Sequence, residues 1–117
     1  MQEVAVMRKY CRRVGGHGED FAAKVLEDSG FRILDRNYRS RTGEIDIIAV
    51  KDGVIHFVEV KTRTGDEYGY PSDAVTESKR HNIRRTAECY LSERHAVWRT
   101  VSLDVMEVTA DLIEDCM

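Results

Sequence analysis

Of 117 residues, only three are cysteine and one is proline. No stretch approaches the roughly 18 uncharged apolar residues that a membrane-spanning helix needs. Cys11, Cys89 and Cys116 form no C-x-x-C pair and leave one thiol over, which argues against both a zinc cluster and a disulfide framework. They are expected to be reduced thiols. Met1 to Arg13 lacks the apolar core and small-residue cleavage site of a secretory leader, so the chain is expected in the cytoplasm, away from membrane. Positive charge is not in excess either: the net charge is −3, which argues against a protein whose whole surface grips nucleic acid. What is present is 42% hydrophobic and 33% charged residues, enough to fill and cover one core and too apolar for a disordered chain. At this length a single domain is expected.

Charge is unevenly spread. Residues 1–45 hold nine Lys or Arg against seven acids, residues 46–85 seven against seven, and residues 86–117 two against seven. Locally basic clusters therefore survive at Arg8, Lys9, Arg12 and Arg13, at Arg36, Arg39 and Arg41, and at Lys79, Arg80, Arg84 and Arg85. Residues 1–14 show no clean period and are read as an N-terminal arm, a candidate for mobility. Residues 15–108 are read as the domain and 109–117 as an acidic tail. From His17 to Ser29, Phe21, Ala22, Val25 and Leu26 recur at helical spacing and Gly30 stands where a C-terminal cap belongs. Phe31–Tyr38 reads as a non-central strand. Ile45–Val50 and Val54–Val60 are Ile, Val and Phe runs separated by Asp52-Gly53, a strong hairpin signal, and are apolar enough to be covered on both faces. Gly65–Pro71 reads as a loop, Thr76 as the N-cap of a helix to about Ser92, and Val97–Val108 as a strand. The order αβββαβ predicts an α/β domain with a mixed sheet flanked by helices.

Each central strand carries an acid in its apolar run, Asp46 between Ile45 and Ile47 and Glu59 between Val58 and Val60. If Asp52 and Gly53 are the turn, 51 pairs with 54 and Asp46 falls opposite Glu59, with Cβ atoms about 4.5–5.5 Å apart. Like charges at that spacing repel unless a cation joins them. A three-residue turn with a glycine bulge would instead slip the pairing by one. Lys61, two residues after Glu59, projects from the same face, and Glu19 lies along the buried stripe of the first helix. Magnesium binds through one or two carboxylates while keeping waters, which suits Asp46, Glu59 and Glu19, with Lys61 to orient water or neutralise a phosphorus centre. The chemistry indicated is metal-assisted phosphodiester hydrolysis. The alternative is an internal ion cluster, and acid-x-Lys recurs at Glu77-Ser78-Lys79. His17, His56, His81 and His95 show no paired ligand spacing; His56 reads as a satisfied strand histidine and Cys89 as a packing or surface residue.

Gly18-Glu19 with Ala22, then Gly43-Glu44-Ile45-Asp46-Ile47-Ile48-Ala49, then Phe57-Val58-Glu59-Val60-Lys61-Thr62-Arg63, then Tyr68-Gly69-Tyr70-Pro71 with Ala74-Val75 and Lys79, resemble the YraN family of small bacterial proteins (UPF0102). The resemblance spans about residues 15–108. That family is similar to archaeal Holliday-junction resolvases and, by pattern, to the PD-(D/E)xK nucleases. It implies a restriction-endonuclease-like core in which Asp46 is the metal-binding aspartate, Glu59 the second acid, Lys61 the catalytic lysine and Glu19 the helix-one glutamate. Two departures stand out: Ile45 replaces the proline of the superfamily name, and Ser102-Leu103-Asp104-Val105 stands where the family usually has Arg-Phe-Asp-Val.

The expectation is a magnesium- or manganese-dependent endonuclease-like protein acting on DNA, structured or branched, with Asp46, Glu59 and Glu19 at the metal and Lys61 assisting attack. Arg36, Arg39, Arg41, Arg63 and Lys79 are expected at phosphates. A homodimer would place two sites on a symmetric substrate. The rival expectation is a non-catalytic nucleic-acid-binding or protein-interaction module on the same fold.

Overall fold

A computed structural model describes residues 2–5, 16–64, 76–95, 98 and 100–110, with side chains described for 18–62, 76–95, 98 and 100–108. The expected loop at Gly65–Pro71, most of the N-terminal arm, the last seven residues, Cys11 and Cys116 lie outside them. The elements are β1 (Gln2–Ala5), α1 (Gly16–Asp28), β2 (Arg32–Ser40), β3 (Gly43–Lys51), β4 (Val54–Thr64), α2 (Glu77–Glu93) and β5 (Thr100–Ala110). They make a small α/β domain with a mixed sheet and two helices. β2, β3 and β4 run antiparallel, and β5 lies parallel to β4 after the α2 crossover. β1 adds a parallel edge to β5, giving the order β1-β5-β4-β3-β2. This strand lies within the segment read as an arm, because four residues carry too little pattern to announce a partner about a hundred residues away.

Local chemistry accounts for the other elements. α1 buries Ala22, Ala23 and Leu26 at three- and four-residue spacing. It closes in a Schellman arrangement, with the Phe31 amide donating to the Leu26 carbonyl and the Gly30 amide to that of Glu27, each at 3.0 Å. Gly30 supplies the left-handed φ of 98° this needs. Asp52 and Gly53 both have positive φ, 51° and 79°, the backbone of a two-residue type I′ turn, and Lys51 pairs with Val54. The bulged alternative is thereby excluded. Thr76 caps α2 by accepting from the Lys79 amide at 3.1 Å.

The sheet is covered on both faces. α1 packs Ala22, Ala23 and Leu26 on Ile47, Ala49, Val58, Met106 and Val108. On the other face α2 packs Ile83, Ala87 and Tyr90 on Ile45, Ile48, Ile55 and Phe57. Glycine sets how closely α1 sits: a Cβ on buried Gly18 would collide with Thr62 Oγ1 and stand 3.1 and 3.2 Å from its Cγ2 and Cβ. β2, at the edge opposite β1, is irregular twice, with a register shift between Ile33 and Asp35 and a left-handed φ of 55° at Asn37. Among the described residues no helix is long and apolar enough to cross a membrane.

Candidate functional site

The β3–β4 register runs Lys51↔Val54, Val50↔Ile55, Ala49↔His56, Ile48↔Phe57 and Ile47↔Val58. One more step would pair Asp46 with Glu59, as the count from the turn expects, but the ladder ends there. Strict alternation puts Ile45 and Ile47 on one face, yet Ile45 joins the α2-side core and Ile47 the α1-side core. The strand is therefore distorted at Asp46. Its neighbour is distorted too, since Arg36↔Ile47 and Tyr38↔Ile45 bracket Asn37 opposite Asp46, and Asn37 is the left-handed residue. Asparagine tolerates that conformation better than most side chains. At the break, Asp46 Oδ2 accepts a 2.7 Å bond from the Val60 amide. The side chain thus meets a β4 donor where the ladder has stopped.

That carboxyl is electrostatically exceptional. Burial pushes its pKa up from 3.8 to about 6; the Val60 amide opposes this, while the negative charges of Glu59, Glu19 and Glu44 add to it. Three acidic neighbours thus act on Asp46 at the split. Glu59 is nearly sealed, its side chain 9% exposed, and its Oε2 lies 2.9 Å from Lys79 Nζ on the first turn of α2. Glu19, in the first turn of α1, accepts from Arg36 at 3.3 Å and from Asn37 Nδ2 at 3.1 Å. The Gly18–Thr62 approach holds this turn of α1 against β4.

Lys61 sits in β4 opposite Glu107 and is half-buried. By alternation it shares the α2-side face with Glu59, and it makes no ion pair among the described residues. The ion cluster expected as the alternative, Lys61 with Glu59 and Asp46, is not seen among the described residues; instead Lys79 of the second acid-x-Lys triplet pairs with Glu59 of the first. Among the described residues, no three His, Cys, Asp or Glu side chains are already gathered closely enough to hold one ion.

The residues expected at phosphates divide. Arg36 is engaged by Asp20 at 2.7 Å and by Glu19, and its pKa is raised chiefly by the Asp20 bond. Arg39 is 3.7 Å from Glu44, and Lys79 is committed to Glu59. Arg41 is exposed on the β2–β3 turn with no ion pair among the described residues. The side chain of Arg63 lies outside the described residues. A cleft of about 250 Å³ opens beside Lys79, lined by Thr42, Gly43, Glu44, Thr76, Ser78, Asn82 and Ile83. Behind it, fully buried Thr86 shares a 2.7 Å hydroxyl bond with Thr42, which shares one of 2.8 Å with Ser40. Thr86 also donates to the Asn82 carbonyl at 2.8 Å, so the β2–β3 turn is pinned to α2. Neither this pin nor the Glu59–Lys79 pair was anticipated from the sequence.

The remaining buried polar group lies nearer the hairpin turn. His56 Nδ1 is 2.7 Å from Asp104 Oδ2, and Ser102 donates to Asp104 Oδ1 at 2.5 Å. His56 is thus the satisfied strand histidine expected.

A family model described as "Uncharacterised protein family UPF0102" matches residues 18–108. A UPF0102 protein of Symbiobacterium thermophilum is 50% identical over 97 residues, covering 83% of this chain and 82% of that protein. One from Rhodococcus opacus is 48% identical over 95 residues, covering 81% and 80%. One from Clostridium perfringens is 43% identical over 102 residues, covering 87% and 84%.

Proposed function

The chain belongs to the uncharacterised protein family UPF0102, and from that premise we propose that it is a metal-dependent, endonuclease-like protein with a restriction-endonuclease-like core, hydrolysing phosphodiester bonds of structured or branched DNA. The observation that carries the reading is the carboxyl of Asp46 at the split between β3 and β4, pushed up to about 6 by burial and by three neighbouring acids. Asp46 itself has no cationic partner among the described residues, although Glu59, Glu19 and Glu44 each have one. The donor set fits a hard divalent ion, since magnesium is satisfied by one or two carboxylates plus waters. Asp46 and Glu59 would hold magnesium or manganese, and Glu19 would complete the set by releasing Arg36 or Asn37. When bound, the ion supplies Lewis acidity toward a phosphoryl oxygen and lowers the pKa of water. Lys61 carries a positive charge on the Glu59 face with no internal partner described, which suits it to orient water or neutralise charge building on phosphorus. Of the described residues expected at phosphates, Arg41 is the one without an ion pair, which suits it to a phosphate. The proposed setting is cytoplasmic, with a homodimer placing two sites on a symmetric substrate.

The test is incubation with manganese and a panel of single-stranded, duplex, flapped and four-way DNA. Cutting should vanish in Asp46→Ala, Glu59→Ala and Lys61→Ala while binding persists. Cutting that survives in Lys61→Ala would betray a contaminant. One observation favours a second reading, a non-catalytic binding module: Glu59 and Glu19 already have cationic partners in Lys79 and Arg36. On that reading neither magnesium nor manganese raises the melting temperature.

A further inference from the structure

We propose that Lys79 is the resident counter-ion of Glu59, displaced when a divalent cation binds, and that the released ammonium serves the adjoining cleft as a phosphate contact. The inference rests on the metal-site reading above and adds a second role for a residue of α2.

Its basis is the asymmetry of the pair. The Glu59 side chain is 9% exposed, whereas that of Lys79 is 45% exposed. A sealed carboxylate strongly requires a cation, but a lysine with nearly half its surface in solvent loses little by leaving. Lys79 also stands at a boundary. Its Nζ touches Glu59 on one side, while its side chain forms part of the wall of the cleft with Thr42, Ser78 and Asn82 on the other. This wall is rigidly framed, because Thr86 ties Thr42 to α2 and Thr76 caps the helix. The cleft, at about 250 Å³, lies just below the roughly 300–1,000 Å³ of a small-molecule pocket, so it has room for a small anionic group and not for a large ligand. Glu44, another lining residue, is occupied by Arg39 at 3.7 Å, which tempers its repulsion of an anion.

The consequence is reciprocal coupling. A cation that frees Lys79 improves the cleft for phosphate, and a phosphate that draws Lys79 away improves Glu59 for the cation by the same factor. Without either, Lys79 keeps Glu59 neutralised.

Calorimetric titration with manganese chloride, without nucleic acid, compares the wild type with Lys79→Gln and Lys79→Met. Losing the competitor should tighten manganese binding roughly tenfold, or about 1.4 kcal/mol. Amine acetylation of Lys79 in the wild type, mapped by mass spectrometry, should rise several-fold on adding magnesium, and this readout stands if the variants do not fold. Manganese binding that is equal or weaker in folded variants, with unchanged acetylation, overturns the displacement but leaves the metal site standing. No manganese binding in wild type or variants, with unchanged acetylation, removes the metal site and this inference together.

Discussion

Replacing Asp46 by asparagine should make the protein more stable, not less. The carboxyl titrates at about 6 instead of 3.8, so folding favours its neutral form. Asp46 therefore contributes stability that is fully present below 3.8 and is lost as pH rises through about 6. The difference of about two units, at 1.36 kcal/mol per unit, sets a ceiling near ~3 kcal/mol. Asp46 is only partly buried and solvent screens part of the repulsion, so about 1–2 kcal/mol is expected. Asparagine keeps a side-chain oxygen to accept from the Val60 amide, so the 2.7 Å bond that closes the split survives. Urea unfolding at pH 8 should show Asp46→Asn more stable by about 1–2 kcal/mol, raising the melting temperature by roughly 4–8 °C. At pH 5 the advantage should fall to about half. Magnesium should then stabilise the wild type and leave the variant unmoved. A variant that is equal to or less stable than wild type at pH 8 would refute the assignment of repulsion at this carboxyl.

Three further outcomes follow from other contacts. Gly18→Ala should cost about 1–3 kcal/mol by overpacking against Thr62, because three side-chain atoms of that threonine are in the way; denaturation of the double variant with Thr62→Ala should recover most of the loss. Asp104→Ala should cost about 1–3 kcal/mol, since it removes the acceptor that His56 Nδ1 meets in the sheet, and Asp104→Asn should cost less in the same unfolding assay. In DNA binding measured against salt, Arg41→Ala should lower the log–log slope by about 0.9. Arg36→Ala should leave the slope nearly unchanged, because its guanidinium is held by Asp20 and Glu19.

Much of the scaffold could be read from short-range chemistry. Asp52-Gly53 dictated a two-residue turn, and from that turn the facing of Asp46 and Glu59 could be counted. Gly30 and Thr76 marked helix ends that hydrogen bonds then closed. The count also assumed a regular ladder, which fails where Asn37 turns left-handed and Asp46 substitutes a side chain for a strand carbonyl. No spacing rule could have announced this, since both distortions depend on strands meeting across the sheet. The partner of Glu59 was hidden for a similar reason. Lys61 is two residues away in the chain, but Lys79 reaches across from a helix twenty residues on and claims the carboxylate. Arginines close in sequence likewise gave no hint that Arg36 is spent on α1 while Arg41 is not.

The outer rim formed by β2 has a consequence for self-association. A strand can template a neighbour only if its unpaired amides and carbonyls keep a regular beat. β2 loses that beat twice within nine residues, at Ile33–Asp35 and at Asn37, and carries Arg32, Arg36 and Arg39 along its length. Continuous sheets growing from rim to rim, and the fibres they lead to, are blocked on this side. A twofold partner docking on this side must use helical or loop surfaces instead, and the cleft beside Lys79 faces outward on both copies only if that docking spares α2.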